Sequence, residues 1–316
     1  MLTAVAVSLV QTAPPALAQG RQLQFIRDAE IEAIIRTYAT PLFQAAGLDP
    51  NAVDVYLVQD ASLNAFVAGG QNLFINTGLL MRAEGPLEVI GVIAHETGHI
   101  AGGHIAQRMG AMDDAAGTLI AAYILGILGA IASGRGEVAS AVISGGQDIA
   151  LRGLLSFSRS QERAADQAAI SYLESAGISP SGLLRFMGRL KGQEVLLASN
   201  QDPYLTTHPL TRERIDFLEQ QVAASPYAAT PATPAMVALH ERLRAKLIGF
   251  LEPRYRVEQI YPSSDGGLPA TYAHAIMEYR EGHLDTALGL IDRLLAQYPT
   301  DPFFLEIKAQ MLFEFG

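Results

Sequence analysis

The residues best spaced for joint chemistry stand in the string AHETGHIAGGH, Ala94 to His104. On a helix, His95 and His99 are four residues apart, so both imidazoles lie on one face about one turn apart and can share a metal ion. Glu96 points roughly 100° further round the axis. It need not bind the ion and is free to take a proton from an attacking water. Apolar Val92, Ile93 and Ala94 lead into the motif, as expected of a buried helix and not of a solvated charged face.

The chain has no Cys, which excludes thiolate ligands, disulfides and a Cys nucleophile and leaves His and carboxylates to hold the ion. The expected cofactor is one Zn²⁺ per chain. A catalytic zinc takes three protein ligands and keeps one position open. In the extended pattern HExxHxxGxxH the third ligand would fall at position 105. Here Gly102 is in place, but position 105 is Ile105 and the histidine arrives one residue early, at His104. The other arrangement takes a Glu from a second helix. The segment SRSQERAADQAA, Ser158 to Ala169, supplies Glu162, with Asp166 four residues later on the same face. Glu162 would ligate and Asp166 would hold a ligand imidazole from behind, although the segment alone also reads as a charged helix face. A third patch is THPLTRERI, Thr207 to Ile215. His208 precedes Pro209 and is therefore expected in an extended or turn conformation, and Arg214 alone reads equally well as a surface ion-pair partner.

These residues need elements to position them. Apolar spacing predicts a helix from Arg21 to about Ala46, interrupted by Pro41. Residues 54–60 and 72–80 read as a pair of strands around the turn-like Ala68-Gly69-Gly70, with Asn64-Ala65-Phe66 between them. Gly85-Pro86 opens a long helix running to about Met109. The uncharged stretch from Ala115 to Ala132 reads as a packed helix, a monotopic helix or a membrane span. Pro- and Ala-rich residues 225–235 form a linker. Beyond it comes a helix from about Met236 to Phe250. Next is a paired-helix pattern in which Ala275 and Ala287 meet, Gly282 turns the chain and Pro299 stops the second helix, with Ala309 recurring where Ala275 stood.

The 316 residues are enough for a principal domain and a smaller one. Asp and Glu outnumber Lys and Arg by 32 to 22, and no basic cluster offers the stripe that a phosphate backbone demands, so nucleic acid is excluded as a partner. At the N-terminus an apolar run from Leu2 to Val10 precedes Ala16-Leu17-Ala18, the small-residue pattern of a secretory cleavage site, although no Lys or Arg comes before Arg21. Residues 1–18 are expected to be a signal peptide and the protein to be exported.

Together Asn64-Ala65-Phe66 before the glycine-containing strand pair, His95-Glu96-Thr97-Gly98-His99 with His104, Ser158-Arg159 leading to Glu162 and Asp166, and His208-Pro209 with Arg214 resemble the HtpX-like and CAAX-prenyl-protease-like zinc peptidases. The likeness is to their exported branch bearing tetratricopeptide (TPR) repeats, and it runs from about Arg21 to the end. It implies an α+β, predominantly α fold: a gluzincin core around a small β-sheet over 19–224, then TPR-like helical hairpins over 236–316. About one and a half repeats are visible, so the chain is expected to stop partway through an array. The resemblance implies that an edge strand aligns the peptide substrate and that Asn64 and Phe66 lie near the cleft. It implies that His104 and Asp166 stand behind the ligands and that His208 or Arg214 stabilises the oxyanion. It also implies that His208 approaches the zinc as a fourth ligand and switches the site between closed and active states. The implied function is a periplasmic zinc endopeptidase acting on misfolded or unassembled envelope proteins in outer-membrane protein quality control. The outer-membrane assembly machinery is an expected partner, and residues 115–132 are expected to make peripheral membrane contact. Two rivals stand beside this reading: a chaperone or assembly scaffold with a structural zinc, and an integral membrane protease if 115–132 spans the bilayer.

Overall fold

The computed structural model describes residues 24–111, 129, 157–191 and 203–315. The expected signal peptide, and all but one residue of 115–132, fall outside them. Among the described residues no helix is long and apolar enough to cross a membrane.

The sheet has four strands, β1 (Phe25–Ile26), β2 (Asp54–Val58), β3 (Ala65–Ala68) and β4 (Asn72–Asn76), in the order β1-β2-β4-β3. β2 and β4 run parallel in a register that sets Leu57 against Ile75, and the two outer pairings are antiparallel. The expected pair of strands is thus present, but the turn at Gly69 and Gly70, both with positive φ, joins β4 to β3 and not to β2. Alternation sorts the side chains. Val55, Leu57, Ala65, Val67, Leu73 and Ile75 enter the main core, while Phe74 on the other face stacks with Tyr56 and Phe66.

The N-terminal segment also departs from expectation. Phe25 and Ile26 form an edge strand, and helix α1 (Ala29–Ala45) starts only after Asp28, whose side chain accepts from the Ile31 N–H at 2.9 Å. Pro41 lies inside α1 without ending it. Burial of Ile31, Ile34, Ile35, Tyr38, Leu42 and Phe43 along one face outweighs the lost backbone bond.

After the short α2 (Thr77–Arg82), helix α3 (Pro86–Ala101) is buried along nearly its whole length. The predicted long helix breaks at Gly102-Gly103, where Gly103 adopts φ +61°, and restarts as α4 (His104–Ala111). Two further helices, α5 (Arg159–Ser175) and α6 (Ser181–Leu190), close over α3. Their approach requires glycine. A β-carbon on Gly182 would stand 2.0 Å from the Leu87 carbonyl oxygen, and one on Gly98 2.9 Å from Ala165 Cα.

The short α7 (Pro203–Thr207) and α8 (Arg212–Ala224) complete this unit. Beyond residues 225–233 come α9 (Pro234–Leu251), α10 (Arg254–Ile260), α11 (Leu268–Arg280), α12 (Leu284–Gln297) and α13 (Pro302–Phe315). Ala275 and Ala287 are fully buried between paired α11 and α12, and Gly282 turns the chain at φ +82°, but Ala309 on α13 is exposed. The fold is mainly helical with one small sheet. Helix α9 serves two cores, sending Leu243 and Leu247 into the first and Ala245 and Ile248 into the second. A buried ion cluster fastens the two. Glu30 of α1 accepts from Arg242 and from the Tyr272 hydroxyl (2.7 Å), with Lys246 Nζ at 3.0 Å, while Arg242 also forks onto Asp301 at 2.6 and 2.7 Å.

Candidate metal centre

α3 brings His95 and His99 to the centre of the first core, with their Nε2 atoms 3.1 Å apart. α5 supplies Glu162 from its first turn. Ser158 and Gln161 cap that helix reciprocally, which fixes where the turn begins. Glu162 stands 3.3 Å from His95 Nε2 and 3.4 Å from His99 Nε2. One turn on, Asp166 Oδ1 lies 2.9 Å from His95 Nδ1. This leaves Nδ1 facing Asp166 and Nε2 facing the centre.

The break at Gly102-Gly103 gives His104 its place. It starts a new helix, folds back and sets its Nδ1 3.0 Å from His99 Nδ1, leaving His99 Nε2 for the centre. His208 enters from the opposite side. Pro209 stops α7 after Thr207, and His208 Nδ1 reaches 3.0 Å from Glu162 Oε1 and 3.3 Å from His95 Nε2. Its Nε2 is 3.4 Å from Glu96 Oε1.

Arg214 also reaches the centre, as the holder of its carboxylates. Nε and Nη2 bond Asp166 at 2.7 and 2.9 Å, and Nη1 lies 2.7 Å from Glu162 and donates to the Pro209 carbonyl at 2.9 Å. The guanidinium thus faces Asp166, Glu162 and the Pro209 carbonyl. Asn64 is buried and its backbone carbonyl accepts from the Asn76 N–H at 3.0 Å. Phe66 lies on the sheet face opposite the core, stacked on Phe74 with ring centroids 4.9 Å apart.

The residues fit a divalent cation. One ligand atom from each of His95, His99, Glu162 and His208 lies within 4.8 Å of the others, and all four side chains are buried. Glu96 is fully buried, yet among the described residues neither of its oxygens accepts a hydrogen bond. Three buried carboxyl groups, Glu96, Glu162 and Asp166, lie close to these donors, and a bound cation would offset the cost of burying their charge. Nitrogen and oxygen donors without sulfur suit a first-row divalent ion.

Electrostatics separate the carboxyls. Burial raises the Glu96 pKa. Burial also opposes ionisation of Glu162, but His208, His95 and His99 hold it well below the usual carboxylate range, and Asp166 is lowered by Arg214 and His95 despite its burial. Burial likewise opposes the charge on His95, yet Asp166 and Glu162 lift it to about 9, whereas burial drives His99 well down.

Two aromatic rings that sequence reasoning missed frame the donors. Phe157 stacks on His99 at 3.7 Å between centroids, and Tyr204 stacks on His208 at 4.5 Å. Neither belongs to a recognisable motif; the nearest signal is an aromatic four residues before His208-Pro209.

The chain is 27% identical over 291 residues to the beta-barrel assembly-enhancing protease of Yersinia pestis, covering 90% of this chain and 59% of that protein. It is 23% identical over 293 residues to the Escherichia coli K12 protein of the same name, with the same coverage. It is 28% identical over 200 residues to the metalloprotease LoiP of Escherichia coli K12, covering 62% of this chain and 73% of LoiP. The chain therefore spans about 59% of the length of the first two relatives. The model of peptidase family M48 matches residues 26–222, a span that holds every donor described above. The chain belongs to peptidase family M48, a family of metallopeptidases.

Proposed function

We propose that this chain is a zinc endopeptidase in which His95, His99 and Glu162 hold the ion and Glu96 is the general base. The observation that carries the reading is Glu96, a buried carboxylate that accepts no hydrogen bond from the described residues, beside a three-element donor set. A bound Zn²⁺ supplies the charge that acidifies water and polarises a peptide carbonyl. Glu96 takes the proton of the attacking water on its free oxygen and passes it to the leaving amine. Burial raises its proton affinity, which suits a group that must both accept and release a proton. Asp166 and His104 fix the ring tautomers of His95 and His99, and Arg214 fixes Asp166 and Glu162.

His208 is the conditional element. As a fourth donor it would fill the corner that water needs beside Glu96, so the site would be closed with His208 in place and would open when His208 withdraws; its distances to Glu162 and Glu96 support this. Once withdrawn, its imidazole is placed to stabilise the oxyanion. The four-donor set also favours a second reading, a chaperone or assembly scaffold with a structural zinc.

The wider proposal is that residues 19–224 form a gluzincin peptidase unit whose sheet edge, with Asn64 and Phe66, aligns peptide substrates by strand addition. Residues 225–235 would link it to a TPR-like partner-binding region over 236–316. Substrates would be unfolded or misassembled envelope proteins in the periplasm, with the outer-membrane assembly machinery as partner; similarity to the beta-barrel assembly-enhancing proteases supports this. Metal analysis of purified protein, followed by chelation and stepwise zinc return, tests the core of the reading. One zinc per chain and recovered cleavage of an unfolded protein such as casein are expected. Full cleavage by the metal-free protein would refute it.

A further inference from the structure

His208 is the donor with the least backbone support, since it lies just past the end of the five-residue α7 and just before Pro209. Tyr204 fixes its orientation twice. The His208 N–H donates to the Tyr204 carbonyl at 2.7 Å, and the Tyr204 ring lies nearly parallel to the imidazole, at 21° and 4.5 Å between centroids. Tyr204 is itself fully buried and braced edge-on by Phe186 of α6 at 5.1 Å and 89°. On the other side, Phe157 covers His99, approaches His208 at 5.4 Å, and donates its backbone N–H to the Thr207 carbonyl at 3.0 Å.

From this stack we infer that Tyr204 is a positioning residue that latches His208 into the donor set and so sets how often the centre is closed. The inference rests on the fourth-donor reading of His208 given above. His208 cannot leave Glu162 and the corner beside Glu96 without sliding off the Tyr204 face or carrying α7 with it. The second route also breaks the Phe157–Thr207 bond and the edge contact with Phe186. The latch therefore acts on the same turn that carries His208, while the Tyr204 ring also faces that of His95 at 6.5 Å between centroids, tilted by 52°. Losing one aromatic stack shifts a two-state balance by about two- to tenfold.

Cobalt substitution reports the latch independently of turnover, because the visible spectrum of Co²⁺ changes intensity and position with coordination number. The full chain is loaded with Co²⁺ as wild type, Tyr204→Leu, Tyr204→Phe, Phe186→Leu and His208→Ala. The latch predicts that Tyr204→Leu moves the spectrum toward that of His208→Ala and raises casein cleavage by the zinc form about two- to tenfold. Tyr204→Phe, which keeps the ring, should retain the wild-type spectrum, and Phe186→Leu should shift it in the same direction as Tyr204→Leu but less. If Tyr204→Leu does not fold, as judged by metal stoichiometry and melting, Phe186→Leu decides the matter, and a wild-type spectrum there overturns the latch. A shift in His208→Ala with none in the Tyr204→Leu or Phe186→Leu proteins overturns the latch alone. No shift in His208→Ala overturns the fourth-donor reading and the latch with it.

Discussion

Gly98, between the two α3 histidines, offers a sharp test of how packing positions the metal centre. A β-carbon there would stand 2.9 Å from both the Cα and the carbonyl oxygen of Ala165 on α5, whereas ordinary contact begins near 3.4 Å. Gly98→Ala must therefore open the α3–α5 gap by about 0.5 Å, because neither neighbour is a flexible side chain. Glu162 lies one turn before Ala165 on the same helix and moves with it, whereas His95 and His99 stay with α3. Metal sites tolerate about 0.2 Å in ligand distance, so zinc affinity should fall about 10- to 100-fold. Two effects oppose each other in stability. Replacing a mid-helix glycine by alanine is worth about 1 kcal/mol in helix propensity, and overpacking costs about 1–3 kcal/mol. The contact should win, with the apoprotein unfolding at lower urea than wild type. Chelator competition gives the affinity and urea titration the stability. A Gly98→Ala protein that binds zinc as tightly as wild type and is more stable would show that the α3–α5 contact does not set the Glu162 position.

Other expectations follow from buried charges. Arg214→Met leaves Asp166 and Glu162 without their cation and should cost about 3–5 kcal/mol in the apoprotein, less once zinc is bound, as compared by urea melts with and without metal. Arg242→Met removes the fork between Glu30 and Asp301 and should cost about 3 kcal/mol, at the low end because Lys246 still faces Glu30; equal melting midpoints would contradict this. His240 is buried against the Ala83 carbonyl, and burial lowers its pKa from 6.5 to about 4. The unfolded chain then binds the extra proton first, so the His240 contribution is complete above pH 6.5 and is lost as pH falls toward 4. About 3 kcal/mol is at stake, and His240→Gln should flatten this part of the stability-against-pH curve.

The chemistry of the site was more legible than its scaffold. The spacing of His95, Glu96 and His99 depends only on helix geometry, and Glu162 with Asp166 sits one turn apart for the same reason, although that second pair stands out only beside the first motif and its need for a third ligand. What pattern reading missed depends on tertiary packing. β3 is four residues long and takes its identity from pairing with β4. α1 passes through Pro41 because its buried face is worth more than one bond. The expected continuous helix to Met109 breaks because Gly103 can adopt positive φ, and that break is what turns His104 back onto His99. Phe157 and Tyr204 carry no spacing signal, since stacking on an imidazole is a relation between distant segments. Arg214 could be singled out, but its contacts with Asp166, Glu162 and the Pro209 carbonyl depend on tertiary packing and carry no spacing signal.

The central claim is that Glu96 moves protons while His95, His99 and Glu162 hold the metal. Glu96→Gln keeps the size of the side chain and removes its basicity. Zinc content by mass spectrometry and casein cleavage, measured on the same preparation, test the claim together. The account predicts one zinc per chain, as in wild type, with cleavage reduced by at least about 100-fold. Wild-type cleavage by the Glu96→Gln protein, or loss of its zinc, would contradict it.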